Sequence, residues 1–381
     1  MEILNAYSSF FESKIIGRYL TSDRVFSILE TYGDTHNISE IGTSVNGVFI
    51  KMVTLGQGKK KVLAWSQMHG NESTTTKAVI DLIKFLTQES RFQSQIETFL
   101  KTHTLYVIPI LNPDGAKAYT RENANGVDLN RDAQLLSQPE SKVLASVCKQ
   151  LQPDLCLNLH DQRTIYGFET GKCATVSFLS PAADPSRQIT ASRKSAMLDI
   201  ANMAAVLQNY IPGHIGRYDD AFNENCVGDA FQMAGVPTIL FEAGHAPTDY
   251  QREETRKYIC FSLLTLLGFV PRSGAELEAY FNLPENKKNF LDIIVRNATT
   301  GRRKKRTEIG IQYAEVLVDG RIKFVPRIEK IGDLSKYYAH KELMAQDAEI
   351  LVNSQEKCHV GEKVATIINE KDNSVLYINE D

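Results

Sequence analysis

The side chains best suited to chemistry in this chain of 381 residues are two histidines and two glutamates, each close to the end of an apolar run. Met68-His69-Gly70-Asn71-Glu72-Ser73 stands between an apolar stretch and one of helical periodicity. A neutral imidazole and a carboxylate three positions apart can converge on one side of a turn. They then offer a metal one nitrogen and one oxygen donor, a mixture that Zn²⁺ accepts. Alone, such a pair is a common accident of helix surfaces. His160, in Asn158-Leu159-His160-Asp161, ends a second apolar run and would complete a set of two histidines and one glutamate. Asp161 is either a support behind that set or a solvated loop carboxylate.

Glu242 ends a third apolar run, Pro237-Thr238-Ile239-Leu240-Phe241-Glu242. A carboxylate there is costly unless it is hydrated, paired or functional. Beside an activated water it would serve as a general base; the alternative is a structural salt bridge. His245, three residues on, reads as a hydrogen-bonded loop residue in preference to a further ligand. A fourth stretch holds Asn112-Pro113-Asp114-Gly115, a turn by its local chemistry, then Arg121 and Val127-Asp128-Leu129-Asn130-Arg131-Asp132. Two arginines and an asparagine in one loop are donors suited to a carboxylate and to a developing oxyanion.

The elements that must position these groups follow from periodicity. Strands are predicted at 47–55, 61–66, 104–111, 154–159 and 238–242, and helices at 73–87, 140–150, 185–207 and 250–267. A loop is predicted over 112–132. Alternation of this kind implies an α/β fold, with a mixed, mostly parallel sheet flanked by helices, and strand C-termini are where its ligand sites gather. After Gly268 the composition changes. A charged, helix-prone stretch at 273–290 leads into short β-like segments at 292–295, 309–318, 322–328, 349–352, 364–368 and 375–378. Asp319-Gly320 between two of them is a two-residue hairpin signal. The expected division is therefore a catalytic domain over 1–272 and a small, mostly β domain over 273–381.

Composition narrows the partners. Lys+Arg 43 against Asp+Glu 46 gives a net charge of −3, without the basic excess that nucleic acid or an anionic membrane would favour. Hydrophobic residues at 43% and charged ones at 23% fit a folded globular chain, and no apolar run is long enough to span a bilayer. The N-terminus lacks a basic region followed by an apolar stretch, so the protein is expected to be cytoplasmic or to have lost a leader. The six cysteines lack C-x-x-C pairs, which excludes cysteine-based zinc fingers and points to reduced thiols. The basic run Arg302-Arg303-Lys304-Lys305-Arg306 reads as a solvated loop between two strands rather than a docking site.

Together these stretches resemble the M14 zinc carboxypeptidase family over about residues 40–270. His69-Gly70-Asn71-Glu72, Asn112-Pro113-Asp114-Gly115, Asp128-Leu129-Asn130-Arg131, His160 and Glu242 stand in the family's order. The resemblance implies that His69, Glu72 and His160 bind one zinc ion per chain and that Glu242 is the general base. It further implies that Arg121 polarises the scissile carbonyl and stabilises the oxyanion. Asn130 and Arg131 would hold the substrate's terminal carboxylate. The family also carries a tyrosine in a mobile loop before the catalytic glutamate. Tyr218 is the candidate here for substrate binding, and Phe222 competes for that alignment. The intervening 219–235 would build the specificity pocket, where Asp219, Asp220, Glu224 and Asp229 raise the case for a basic or amino-bearing substrate side chain.

The implied activity is a zinc-dependent metallocarboxypeptidase that hydrolyses a C-terminal peptide bond, cell-wall peptides included, through zinc-activated water. The β appendage lies outside the family's minimal pattern. Its Val360-Gly361-Glu362-Lys363-Val364-Ala365 loosely resembles the C-terminal β domains of succinylglutamate desuccinylase/aspartoacylase-type enzymes, which gives the alternative of a zinc amidohydrolase on N-acyl amino acids. Asn112-Pro113-Asp114-Gly115 and the separation of Arg121 from Asn130-Arg131 favour the peptidase. A non-catalytic peptide-binding protein is a third reading, disfavoured because His69, Glu72, His160 and Glu242 are all present.

Overall fold

A computed structural model describes residues 2–33, 36–300 and 305–379, which fall into two compact units. The first is Met1–Gln162 with Ala174–Asn286; the second is Arg163–Cys173 with Lys287–Asp381. Eight strands of the first unit form one mixed sheet. In spatial order they are Asn37–Thr43, Phe49–Gly56, His103–Ile108, Lys60–Ser66, Leu155–Asp161, Thr238–Ala243, Val176–Leu179 and Ile215–Arg217. The central pairings are parallel, and antiparallel pairs lie toward both edges.

Because side chains alternate along a strand, one central strand serves both faces. Leu157 and Leu159 enter the larger core, under the helices Thr74–Gln88, Ala191–Leu207 and Glu253–Leu266. Cys156 points the other way, into a smaller cluster with Trp65 and with Leu144 of the Pro139–Leu151 helix. His160 and Gln162 continue the row of Cys156. The strands' C-terminal ends thus carry polar side chains on the less covered face. No described helix is long and apolar enough to cross a membrane.

Two local features depart from the expectations. Asn-Pro-Asp-Gly is more than a turn: Asn112 caps a short helix, Pro113–Ala118, its side chain accepting from Gly115 N at 2.9 Å, with Pro113 in the first turn. The long helix begins at Ala191 rather than near 185, because Thr190 caps it by accepting from Arg193 N.

The second unit holds a four-stranded sheet in the order Arg321–Gly332, Lys305–Val318, Phe290–Thr300, Tyr338–Met344. A three-stranded sheet combines Ile350–Val352, Thr366–Asn369 and Val375–Ile378. Ile293, Ile309, Ile311, Ile328, Val364 and Ile367 are buried together as its core. Asp319-Gly320 makes the expected hairpin, both residues at positive φ. Of the basic run, Arg302 to Lys304 lie outside the described residues, and Arg306 sits in a strand.

The boundary differs from 272/273 at two places. Within 273–290, the Leu277–Phe281 helix delivers Tyr280 to the first unit's core, and Leu283 follows it. Conversely, Arg163–Cys173 leaves the first unit, and Tyr166–Gly167 pairs with Lys287–Lys288. A two-residue strand of this kind carries no periodicity to read.

The larger core contains a fully buried ion pair. The Arg256 guanidinium binds Asp81 of the Thr74–Gln88 helix through Nε–Oδ2 at 2.7 Å and Nη2–Oδ1 at 2.5 Å, with both side chains 0% exposed. Arg256 also donates to the carbonyls of Glu12 and Ile15, which ties the N-terminal segment to the helices. Tyr7 Oη and the Glu12 N–H complete the shell of Asp81. Removing one partner would strand the other charge in the core. Arg256→Met is therefore expected to cost about 3–5 kcal/mol, measured by denaturant unfolding. A loss below about 1 kcal/mol, the scale of a surface pair, would contradict this reading.

Candidate metal centre and active site

Three of the singled-out residues converge although they come from two separate stretches of chain. Donor atoms of His69, Glu72 and His160 all lie within 4.8 Å of one another. Glu72 meets both imidazoles: Oε1 is 2.9 Å from His69 Nδ1, and Oε2 is 2.9 Å from His160 Nδ1. The two Nδ1 atoms are 3.1 Å apart.

The local sequence explains the convergence. His69 and Glu72 occupy the turn between the Lys60–Ser66 strand and the Thr74–Gln88 helix, with Glu72 N donating to His69 O. This turn rests on the Asn-Pro-Asp-Gly helix. Asn112 Nδ2 donates to Met68 O at 3.2 Å, and a Cβ on Gly70 would come within 1.9 Å of Gly115 C. Glycine is needed there for close backbone approach. His160 lies near the end of the adjacent parallel strand. Asp161 is the support: its carboxylate accepts from Thr74 N and Thr75 N at the start of the helix that follows Glu72. It is buried and is no solvated loop carboxylate.

The protonation states follow from the packing. Burial disfavours a charge on Glu72, yet His69 and His160 outweigh it and hold the carboxyl well below its ordinary range. Burial likewise works against charged His69, but Glu72 on one nitrogen and Asp128 on the other shift it upward. Asp128 Oδ1 lies 2.9 Å from His69 Nε2 and so orients the ring with Nδ1 toward Glu72. His160 is pushed down by burial, and Glu72 only partly offsets this.

These donors fit a cation. Two buried imidazole nitrogens face each other at hydrogen-bond distance beside a carboxylate, and His160 Nε2 has no hydrogen-bond partner among the described residues. Two nitrogens and a carboxylate form the donor set of a catalytic zinc site, with a carboxylate behind one histidine.

Glu242 stands beside this cluster by strand register: His160 and Glu242 are paired across the parallel strands and so share a face. Burial, then the charges of Glu72 and Asp161, push its carboxyl well above the ordinary value, while Arg121 and Arg252 pull against them. Among the described residues its Oε2 is buried without a hydrogen-bond partner, and no ion pair involves it. Arg121 borders the same point, with Nη1 3.4 Å from Glu72 Oε1 and Nη2 3.0 Å from Asp128 Oδ2.

The remaining candidates sit further out. Asn130 Oδ1 accepts from Val227 N, so its NH₂ group is the side-chain donor it can offer a ligand. Arg131 is exposed and donates to Asn130 O. Tyr218 lies on the cluster's face of the sheet, but its hydroxyl donates to Gln162 Oε1 at 2.8 Å. His245 is buried against the Tyr250 ring and is not part of the three-residue cluster.

Two contributors escaped the sequence reading. Asp128 was visible only as part of a motif. Arg252, buried at a left-handed backbone position, donates to the carbonyls of Gln162, Ala243 and Gly244 and ties together the ends of the two central strands. No spacing rule marks a residue that acts through carbonyls.

Loss of the carboxylate behind His69 should be felt by any cation held at the cluster. Asp128→Ala is expected to weaken zinc affinity about 10–100-fold, read by competition with a chelating dye. Unchanged affinity would remove Asp128 from the centre.

Known proteins resemble this chain in sequence and in fold. The family profile described as zinc carboxypeptidase (peptidase M14) matches residues 26–218. Carboxypeptidase M of Mus musculus is 28% identical over 184 residues, covering 42% of this chain and 42% of its own length. Carboxypeptidase SOL1 of Arabidopsis thaliana is 23% identical over 170 residues, covering 39% and 35%. The chain thus spans well under half the length of these curated relatives. Among solved structures, a metallo-carboxypeptidase from Burkholderia cenocepacia superposes with a TM-score of 0.54 at 19% identity, over 65% of this chain and 69% of that one. Carboxypeptidase A from Helicoverpa armigera gives 0.51 at 15% identity, over 70% and 80%. At such identities these structures speak for the fold alone. The profile covers just over half of the chain, ending before Glu242, and the chain belongs to the M14 zinc carboxypeptidase family.

Proposed function

We propose that the protein is a zinc-dependent metallocarboxypeptidase that removes the C-terminal residue of a peptide, cell-wall peptides included. The observation that carries this is Glu242, a half-buried carboxyl with Oε2 out of solvent, in strand register with His160 beside the His69–Glu72–His160 cluster. His69, Glu72 and His160 would hold one zinc ion. Bound there, zinc supplies Lewis acidity, which makes water a nucleophile near neutral pH and polarises an amide carbonyl.

The chain's own groups do the rest. Glu242 takes a proton from the attacking water and returns it to the leaving amine. Arg121 meets the negative charge that develops on the carbonyl oxygen. Asn130 and Arg131 hold the terminal carboxylate and so select the last peptide bond.

The side-chain preference turns on the four carboxylates of 219–235. Asp220 is engaged by Arg193 at 2.6 Å and Arg187 at 3.2 Å. Asp219 and Glu224 are exposed. Asp229 is buried, makes no ion pair among the described residues, and is pushed up to about 6 by burial, with Arg131 and Arg193 as opposing charges. A substrate lysine or arginine would give that carboxylate its counter-charge.

Two measurements test the proposal. Glu242→Gln is expected to keep zinc but lose about 10²–10⁴-fold in peptide hydrolysis, followed by mass spectrometry on a library of peptides and N-acyl amino acids. Undiminished turnover, or turnover of the N-acyl compounds alone, would refute it. Asp229→Asn is expected to lower kcat/KM for C-terminal lysine relative to leucine by about tenfold or more, the scale of a lost charged hydrogen bond. An unchanged ratio would exclude Asp229 from the pocket.

A further inference from the structure

Gln162, two residues beyond His160, spends every polar group it has. Its N–H donates to Ala243 O, and its carbonyl accepts from Arg252 Nη2. In the side chain, Nε2 donates to Ala174 O at 2.8 Å and to Ser177 Oγ at 3.2 Å. Oε1 accepts from Asn286 Nδ2 and from Tyr218 Oη, both at 2.8 Å. Ser177 Oγ in turn donates to Asn286 Oδ1 at 3.0 Å, which closes a ring of three side chains. Gly244 leaves room for this amide, since a Cβ there would lie 2.5 Å from Gln162 Nε2 and 1.9 Å from Ala174 O.

These bonds fix which way the amide faces. A carbonyl accepts only, so Ala174 O requires the NH₂ group on its side and turns Oε1 toward Tyr218. Gln162, Ala174 and Asn286 are also the places where the chain changes unit: it leaves the first unit after Gln162, returns at Ala174 and leaves again after Asn286. Tyr218 is restrained further at its backbone, where its N–H donates to Phe178 O. The segment after it is held by Asp220 on the buried Arg193.

We propose that Gln162 is a positioning residue for Tyr218, holding the phenol hydroxyl at one place on the site face. Tyr218 is then a stationary wall of the substrate site instead of a swinging side chain. The wall's role in substrate binding rests on the carboxypeptidase reading; the restraint on Tyr218 does not. Preorganisation of this kind lowers the ordering cost of binding and leaves the chemical step alone.

The decisive experiment uses the full chain with 3-fluorotyrosine incorporated at Tyr218 and ¹⁹F NMR without substrate. The native sequence should give one resonance free of microsecond-to-millisecond exchange, and Gln162→Leu should shift and broaden it. Exchange in the native sequence, or a resonance indifferent to Gln162→Leu, would overturn the proposal. Should that variant fail to fold, the native relaxation profile still decides. In the kinetic arm, Gln162→Leu and Tyr218→Phe should each raise KM for a peptide roughly three- to tenfold, with kcat little changed and the double variant no worse than either single one. Additive effects, or a loss confined to kcat, would refute positioning. If the native protein turns over no peptide, the carboxypeptidase reading falls while the NMR arm still judges Gln162.

Discussion

The site depends on one carboxylate that has been taken out of water. Glu72 stays ionised only because each of its oxygens is met: Oε1 by His69, Oε2 by His160 and by the N–H of Asp161. Meeting both oxygens requires the turn after one strand and the end of its neighbour to arrive at the same point. Parallel pairing of Lys60–Ser66 with Leu155–Asp161 sets that meeting, and the pairing of His160 with Glu242 extends it by one more strand. The arrangement is therefore a property of sheet register, and a one-residue slip would turn His160 to the opposite face.

Register also explains what was legible in the sequence. The central strands are continuous apolar runs, so their ends could be placed, and with them His69, His160 and Glu242. The edge was harder to see. Val176–Leu179 and Ile215–Arg217 are four and three residues long, too short for a period to emerge. The helix after Asn112 was concealed because its cap and first turn use the same residues as a loop. Asp128, Gln162 and Arg252 act on other protein groups, and their partners are fixed only in three dimensions.

Charge is balanced around the site by cations that have other duties. Glu72, Asp161 and Glu242 repel one another, and this repulsion together with burial raises Glu242. Arg252 opposes it while holding the strand-end carbonyls, and Arg121 opposes it from the loop that also supplies Asp128. Asp161 is compensated differently: besides the charges of Arg18 and Arg252 it has the first N–H groups of the Thr74–Gln88 helix, whose partial positive charge suits a carboxylate. The carboxylate least well compensated by the protein is Glu242, and it is also the one proposed to exchange a proton.

Placement of the donors finally comes down to how closely backbones approach. At Gly70 the absent side chain lets the His69–Glu72 turn lie against the Asn112-capped helix, and at Gly115 the same helix makes room for the Asn112 amide, which a Cβ would meet at 2.4 Å. Asn112 can then bond both Gly115 N and Met68 O, joining two of the motifs through one side chain. A methyl group at either glycine would separate surfaces that no rearrangement of flexible side chains could bring back together, because the obstructing atoms are backbone or a fixed amide. Motifs that read as unrelated turns are in this sense one rigid joint, and His69 and Glu72 inherit their geometry from it.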